Sequence, residues 1–263
     1  MKRLLFMGIF GLLWSGLVQA ELETQTLEYH HAQTSLLGYL AYPKDAITTP
    51  RPGVLVVPEW WGLNDYAKRR AEQLAGFGYI ALAADIYGDG QVATDPKQAG
   101  TLASRFRDDR ELMRARARAG LDALRAQPGV DSARLAAIGY CFGGTTVLEL
   151  ARSGAELAGV VSFHGGLDTP DPADAENIQA KVLVLHGGDD PYVPPEQVIA
   201  FMEEMRQADV DWQLVAYGGA VHAFTNPDAG DDPSQGIAYH ATADRRSWVD
   251  MQQFFAELFM PMP

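Results

Sequence analysis

Residues 135–151 read Leu135-Ala136-Ala137-Ile138-Gly139-Tyr140-Cys141-Phe142-Gly143-Gly144-Thr145-Thr146-Val147-Leu148-Glu149-Leu150-Ala151. A short apolar run enters a glycine-flanked turn and leaves it as a stretch of helical character. Strand, sharp turn, helix is the setting in which glycine-x-nucleophile-x-glycine has mechanical meaning. The nucleophile occupies a strained turn, and the flanking glycines let strand and helix pass close beneath it. Its side chain then stands clear at the C-terminal edge of a sheet. Here that side chain is Cys141, the single cysteine of the chain. A lone cysteine at a strand end is otherwise a small buried hydrophobe. The glycine spacing and the partners found downstream favour the catalytic reading.

Outward from this turn, continuous apolar runs at residues 53–57, 79–84, 158–163 and 181–186 have the character of strands buried on both faces. Residues 24–29 and 36–40 alternate like a leading antiparallel pair, and 212–217 form a last strand. Helical stretches separate them. Asn64 caps one that runs to Phe77 and is closed by Gly78. Residues 96–127 look helical throughout and end at Pro128-Gly129; Pro195 opens another helix to Gln207, and residues 242–259 form the last. Strands alternating with helices give a mostly parallel sheet with helices on both faces. With no internal repeat and no dividing linker, the expected fold class is α/β: a single α/β-hydrolase domain over residues 21–263.

The chain begins with the basic Met1-Lys2-Arg3, continues through an almost wholly apolar stretch at 4–17, and reaches Val18-Gln19-Ala20, a small-x-small ending. This is the pattern of a secretory signal peptide over residues 1–20, cleaved after Ala20. The apolar run is short for a membrane-spanning helix; an uncleaved N-terminal anchor is the alternative. The expectation is an exported protein, periplasmic or secreted, with no stable membrane span after cleavage. Removing Lys2 and Arg3 leaves 19 basic against 34 acidic residues, a formal charge of −15. Such a surface argues against nucleic acid and anionic membranes as partners. One cysteine cannot form an internal disulfide, so packing must supply the stability. A monomer acting on a small molecule is expected.

In this fold the nucleophile needs an acid and then a histidine, in that chain order, on loops after later strands. His186-Gly187-Gly188-Asp189-Asp190-Pro191 follows one strand, and Gly218-Gly219-Ala220-Val221-His222-Ala223-Phe224 follows the last. His222 would take the thiol proton, and Asp190 would orient the imidazole and stabilise its cation. Asp189 competes with Asp190 for that role. His186 reads as a packed strand-end residue, whereas His164, in Phe163-His164-Gly165-Gly166, could line a pocket or serve structure. Acyl chemistry also needs donors aimed at the developing oxyanion. The N–H of Phe142 is one candidate; that of Trp60, in the loop Pro58-Glu59-Trp60-Trp61-Gly62, is the second. The tryptophans could wall an apolar pocket. A carboxylate straight after a buried strand, Glu59, has no structural purpose beyond that of a turn acid.

These motifs resemble those of the dienelactone hydrolase family over nearly the whole mature chain. The resemblance rests on Pro58-Glu59-Trp60-Trp61-Gly62-Leu63-Asn64, Asp85-Ile86-Tyr87, the turn around Cys141, Gly187-Gly188-Asp189-Asp190 and Gly219-Ala220-Val221-His222-Ala223-Phe224. It implies a Cys141–Asp190–His222 triad and an oxyanion hole from Trp60 and Phe142. It also implies that Glu59 contacts the resting thiol and helps convert it to thiolate once substrate binds. Members that cleave dienelactone are similar to one another in two arginines that hold the substrate carboxylate. One lies two residues after the tyrosine of D-x-Y, the other four after the catalytic histidine; this chain has Asp89 and Asn226 there.

The expected function is hydrolysis of a lactone, carboxylic ester or thioester through a covalent acyl-enzyme. The alternatives are a non-catalytic binding protein on the same fold and acyl transfer to an acceptor other than water. No metal or organic cofactor is implied, since H-x-x-H, C-x-x-C and Gly-rich dinucleotide loops are missing from suitable contexts. The missing arginines point to neutral acyl substrates, with Trp60, Trp61, Tyr87 and Phe224 offering apolar contact and dienelactone turned over poorly. Arg105, Arg107 and Arg110 read as a solvated helix face.

Overall fold

The computed structural model describes residues 21–46 and 49–259; the expected signal peptide, residues 1–20, lies outside the described residues. Eight strands form one sheet: β1 (Leu22–His31), β2 (Thr34–Pro43), β3 (Arg51–Val57), β4 (Ile80–Ala83), β5 (Val130–Tyr140), β6 (Gly159–Phe163), β7 (Lys181–Gly187) and β8 (Trp212–Tyr217). Their order is β1-β2-β4-β3-β5-β6-β7-β8. The pairs from β4 to β8 are parallel, while β1 and β2 add an antiparallel margin. The leading hairpin and the parallel sheet anticipated from the apolar runs are both present.

Side-chain alternation explains the two layers of core. Leu55 and Val57 point to one face of β3, Val54 and Val56 to the other, and all four are fully buried. The first face is covered by α2 (Pro96–Arg107), α3 (Arg110–Arg125), α4 (Phe142–Arg152) and α5 (Pro195–Gln207). The second packs on α1 (Asp65–Gly76) and α6 (Ala241–Phe259), through residues such as Leu74, Met251 and Phe255. With both faces covered, the central strands must be apolar at every position. Asn64 caps α1 as its sequence suggests, accepting a hydrogen bond from the Ala67 N–H.

One helix of the sequence reading divides in two. Residues 96–127 contain no proline or glycine at the break, yet α2 ends at Arg107 and α3 starts at Arg110. Asp109 causes the restart: its carboxylate accepts the Leu112 N–H at 2.9 Å, satisfying one donor that a new helix leaves open.

At the C-terminal edge of the sheet β5 enters α4 through the Cys141 turn. A Cβ on Gly139 would lie 2.0 Å from the Gly143 carbonyl oxygen, and one on Gly143 would lie 2.2 Å from that of Val57. No side chain fits at either place. Cys141 itself has φ 52° and ψ −115°, a strained conformation for a residue with a Cβ. A buried ionic cluster fixes α4 from below. Arg152 on α4 pairs with Glu204 on α5 through two bonds of 2.7 and 2.8 Å and with Glu149 at 2.9 Å. Glu149 is in turn held by Arg114 of α3. No helix among the described residues is long and apolar enough to cross a membrane.

Candidate active site

The turn lifts Cys141 Sγ to 3.1 Å from His222 Nε2. On its other side, His222 Nδ1 lies 2.8 Å from Asp190 Oδ2. Asp190 is buried and its Oδ1 accepts the Tyr192 N–H at 2.9 Å, whereas Asp189 is exposed. Of the two aspartates, Asp190 is the one that meets His222. The His222 loop is pinned by its own backbone: the His222 N–H donates to Gly236 O, and the Ala238 N–H donates to His222 O. Burial opposes a charged imidazole here. The adjacent Cys141 and Asp190 outweigh it and raise the His222 pKa well above the ordinary histidine value.

These residues open into a cavity of about 880 Å³, lined among others by Glu59, Trp60, Trp61, Cys141, Phe142 and His222. Phe142 is the first residue of α4, so its N–H has no partner within the helix and is free to face a ligand. Trp60 and Trp61 meet edge to face at 5.4 Å and wall the apolar side.

Three residues expected to line this pocket do not. Tyr87 is buried behind it: its hydroxyl donates to Trp60 O at 2.7 Å and its ring packs on Phe142 at 5.7 Å. It therefore braces both loops that carry the candidate oxyanion donors. Phe224 has no exposed surface and packs between His164 and Tyr217 in the core. His164 lies beneath Cys141, with its Nδ1 accepting the Cys141 N–H. Asp85, two residues beyond the end of β4, serves the turn, taking the N–H groups of Leu37, Gly88 and Gly90. Sequence spacing locates these residues at the sheet edge but does not say which way each side chain turns.

Glu59 also departs from expectation. Its Oε2 accepts a 2.7 Å bond from Asn226 Nδ2, and no hydrogen bond joins it to the thiol among the described residues. Its Oε1 is buried without a partner. Burial outweighs the Asn226 bond and the nearby His222 charge, pushing the Glu59 pKa up to about 7. Asn226, at one of the two positions without arginine, is thus a partner of Glu59.

The other position corrects the charge argument. Asp89 is exposed and lies outside the cavity lining, so it faces no bound substrate. Arg107 and Arg110, assigned from sequence to a solvated face, flank the break between α2 and α3 and both line the cavity. Arg110 pairs with Asp168 at 2.9 Å; Arg107 makes no ion pair among the described residues. Tyr192, two residues beyond Asp190, is a further wall that the sequence reading missed, its ring 5.4 Å from that of His222. Among the described residues no group of three or more His, Cys, Asp or Glu could hold a metal ion.

The model of the Dienelactone hydrolase family matches residues 36–259. The solved structure of m3DLH superposes with a TM-score of 0.87 at 47% identity, covering 90% of this chain and 99% of its own. A dienelactone hydrolase-like promiscuous phosphotriesterase, P91, from metagenomic libraries gives 0.86 at 48% identity, covering 90% and 98%. Protein usf of Aquifex pyrophilus is 29% identical over 237 residues, 89% of this chain and 98% of that protein. The match spans the glycine turn, both later loops and the sheet that carries them, and the chain belongs to the dienelactone hydrolase family, whose members hydrolyse ester and lactone bonds.

Proposed function

We propose that the protein is an exported enzyme that cleaves a lactone, carboxylic ester or thioester with Cys141 as nucleophile. The observation that carries the reading is the unbroken line from Cys141 Sγ to His222 at 3.1 Å and on to Asp190 at 2.8 Å, opening into the cavity. His222 takes the thiol proton, and the thiolate attacks the acyl carbon to form a carbon–sulfur bond. The N–H groups of Phe142 and Trp60 hold the oxyanion. As the intermediate collapses, the bond to the leaving oxygen or sulfur breaks, and His222 returns the proton to that atom. Water, deprotonated by the same histidine, then attacks the thioester; the acid product leaves and the thiol is restored.

Substrate charge is left open by the cavity: Arg107 offers a cation to an anionic arm, while Trp60 and Trp61 offer apolar contact. A second substrate class follows from the 48% identical relative named as a promiscuous phosphotriesterase. The same thiolate attacking phosphorus, with loss of an alkoxide, would cleave a neutral phosphotriester.

A hydrolysis screen decides between these readings. Neutral and anionic esters, lactones, thioesters and a phosphotriester are incubated with wild type and with Cys141→Ala, and intact mass is followed for an acylated protein. Turnover lost in Cys141→Ala, with an acyl adduct on wild type, is the expected result. Binding without turnover by either protein would favour the non-catalytic alternative, and products carrying an added alcohol instead of water would favour acyl transfer.

A further inference from the structure

We propose that His164 is a positioning residue, which locks the strained nucleophile turn to the loop bearing the catalytic base. This inference rests on Cys141 and His222 acting as nucleophile and base. His164 follows β6 directly, is 1% exposed and has φ 41°. Its Nδ1 accepts the Cys141 N–H at 3.1 Å, a donor shared with Phe163 O at 3.0 Å. That bond fixes the tautomer, because a nitrogen that accepts cannot also carry the ring proton. The proton must therefore sit on Nε2, which lies 2.7 Å from Thr225 Oγ1 and donates to it.

Thr225 stands three residues after His222 on the same loop. It is itself held from two sides: Tyr66 Oη lies 2.7 Å from its hydroxyl, and Arg70 Nη2 donates to its carbonyl at 2.8 Å. One buried ring thus reaches the backbone of the nucleophile with one nitrogen and the base's loop with the other. Its ring also meets the His222 ring at 5.5 Å, edge to face. The 3.1 Å separation of Sγ and Nε2 is set between two separate elements, the turn after β5 and the loop after β8. A buried ring hydrogen-bonded to both ties one to the other. The arrangement requires a neutral ring. Protonation at Nδ1 would abolish the acceptor and place a second cation against the imidazolium; burial, with the His222 and Arg70 charges, keeps the His164 pKa well below the ordinary value.

The two ring nitrogens can be tested separately. In His164→Asn the amide oxygen takes the place of Nδ1, and asparagine tolerates positive φ. In His164→Gln the amide nitrogen takes the place of Nε2, and the acceptor for the Cys141 N–H is lost. Thr225→Val removes the second anchor without touching the turn. Each full-length variant is assayed for kcat and KM on an ester from the screen, for thermal unfolding, and for iodoacetamide alkylation, which reads Cys141 alone because the chain has no other cysteine.

The expected result is that His164→Gln lowers both the alkylation rate at neutral pH and kcat, the latter by on the order of 10²-fold, with KM little changed. Asn should recover most of this loss, and Thr225→Val should fall between wild type and Gln. A folded His164→Gln protein with wild-type alkylation and kcat would overturn the proposal, as would equal losses in Asn and Gln that track lowered melting temperature. Alkylation needs no substrate, so it decides the point even if the ester screen fails and the hydrolytic reading falls with it.

Discussion

At the scale of single residues, the site is a set of side chains whose roles are fixed by one or two bonds each. Cys141→Ala and His222→Ala are expected to lose nearly all turnover. Asp190→Asn should lose roughly 10⁴-fold in kcat, because an amide facing Nδ1 can stabilise the wrong imidazole tautomer. Double variants should be little worse than singles, since the groups act as a unit; steady-state kinetics checks each. Glu59 has a different signature. Its folded pKa of about 7 lies above that of an ordinary carboxyl, so between those values the folded protein keeps a proton that the unfolded chain releases. Stability is then highest below the unfolded pKa and falls as pH rises through 7, by roughly 3 kcal/mol in total. Glu59→Gln lacks this dependence, so urea unfolding at pH 4.5 and 8 should show the variant gaining on wild type at the higher pH; parallel changes would count against it. Arg107 is exposed, so its pull on a substrate anion is modest. Arg107→Gln should raise KM for an anionic ester up to about 5-fold and leave a neutral ester of the same size unaffected.

At the scale of elements, the position of Cys141 depends on how α4 is held. Strand β5 delivers the turn, but the helix that follows must run close under it, and Arg152 joins that helix to α5 through Glu204. Both side chains are buried, so neither can recruit water if its partner is removed. Arg152→Leu is expected to destabilise the protein by about 3–5 kcal/mol, most of it from the Glu204 carboxylate left without its partner. Combining it with Glu204→Leu should recover part of the loss, measured by denaturant unfolding. The junction of α2 and α3 is the other element-level determinant. The sequence reads as helical throughout 96–127, with these arginines on a solvated face; the Asp109 cap makes two helices, and Arg107 and Arg110, which flank the break, line the cavity.

At the scale of the whole molecule, the charge and the N-terminal segment bear on where the protein works. Residues 1–20 support export, and mass spectrometry of protein from the native host should find a mature chain beginning at Glu21. Intact Met1 in the cytoplasm would refute it. The strands, their mostly parallel pairing and the two-sided core were legible because each depends on a strong local signal: apolar runs of strand length, helix caps, and glycines where no Cβ fits; the order of the strands was not. The chain order of Cys141, Asp190 and His222 was legible for the same reason, as strand ends in such a sheet share one edge. What only the tertiary structure decided is the direction of side chains beyond those ends. Tyr87 and Phe224 turn into the core, His164 turns under Cys141, and Asn226 rather than the thiol is the partner of Glu59. Spacing along the chain places a residue at an edge; the neighbours that compete for its polar atoms, and the volume left to fill, come from segments up to 167 residues away, as with Glu59 and Asn226.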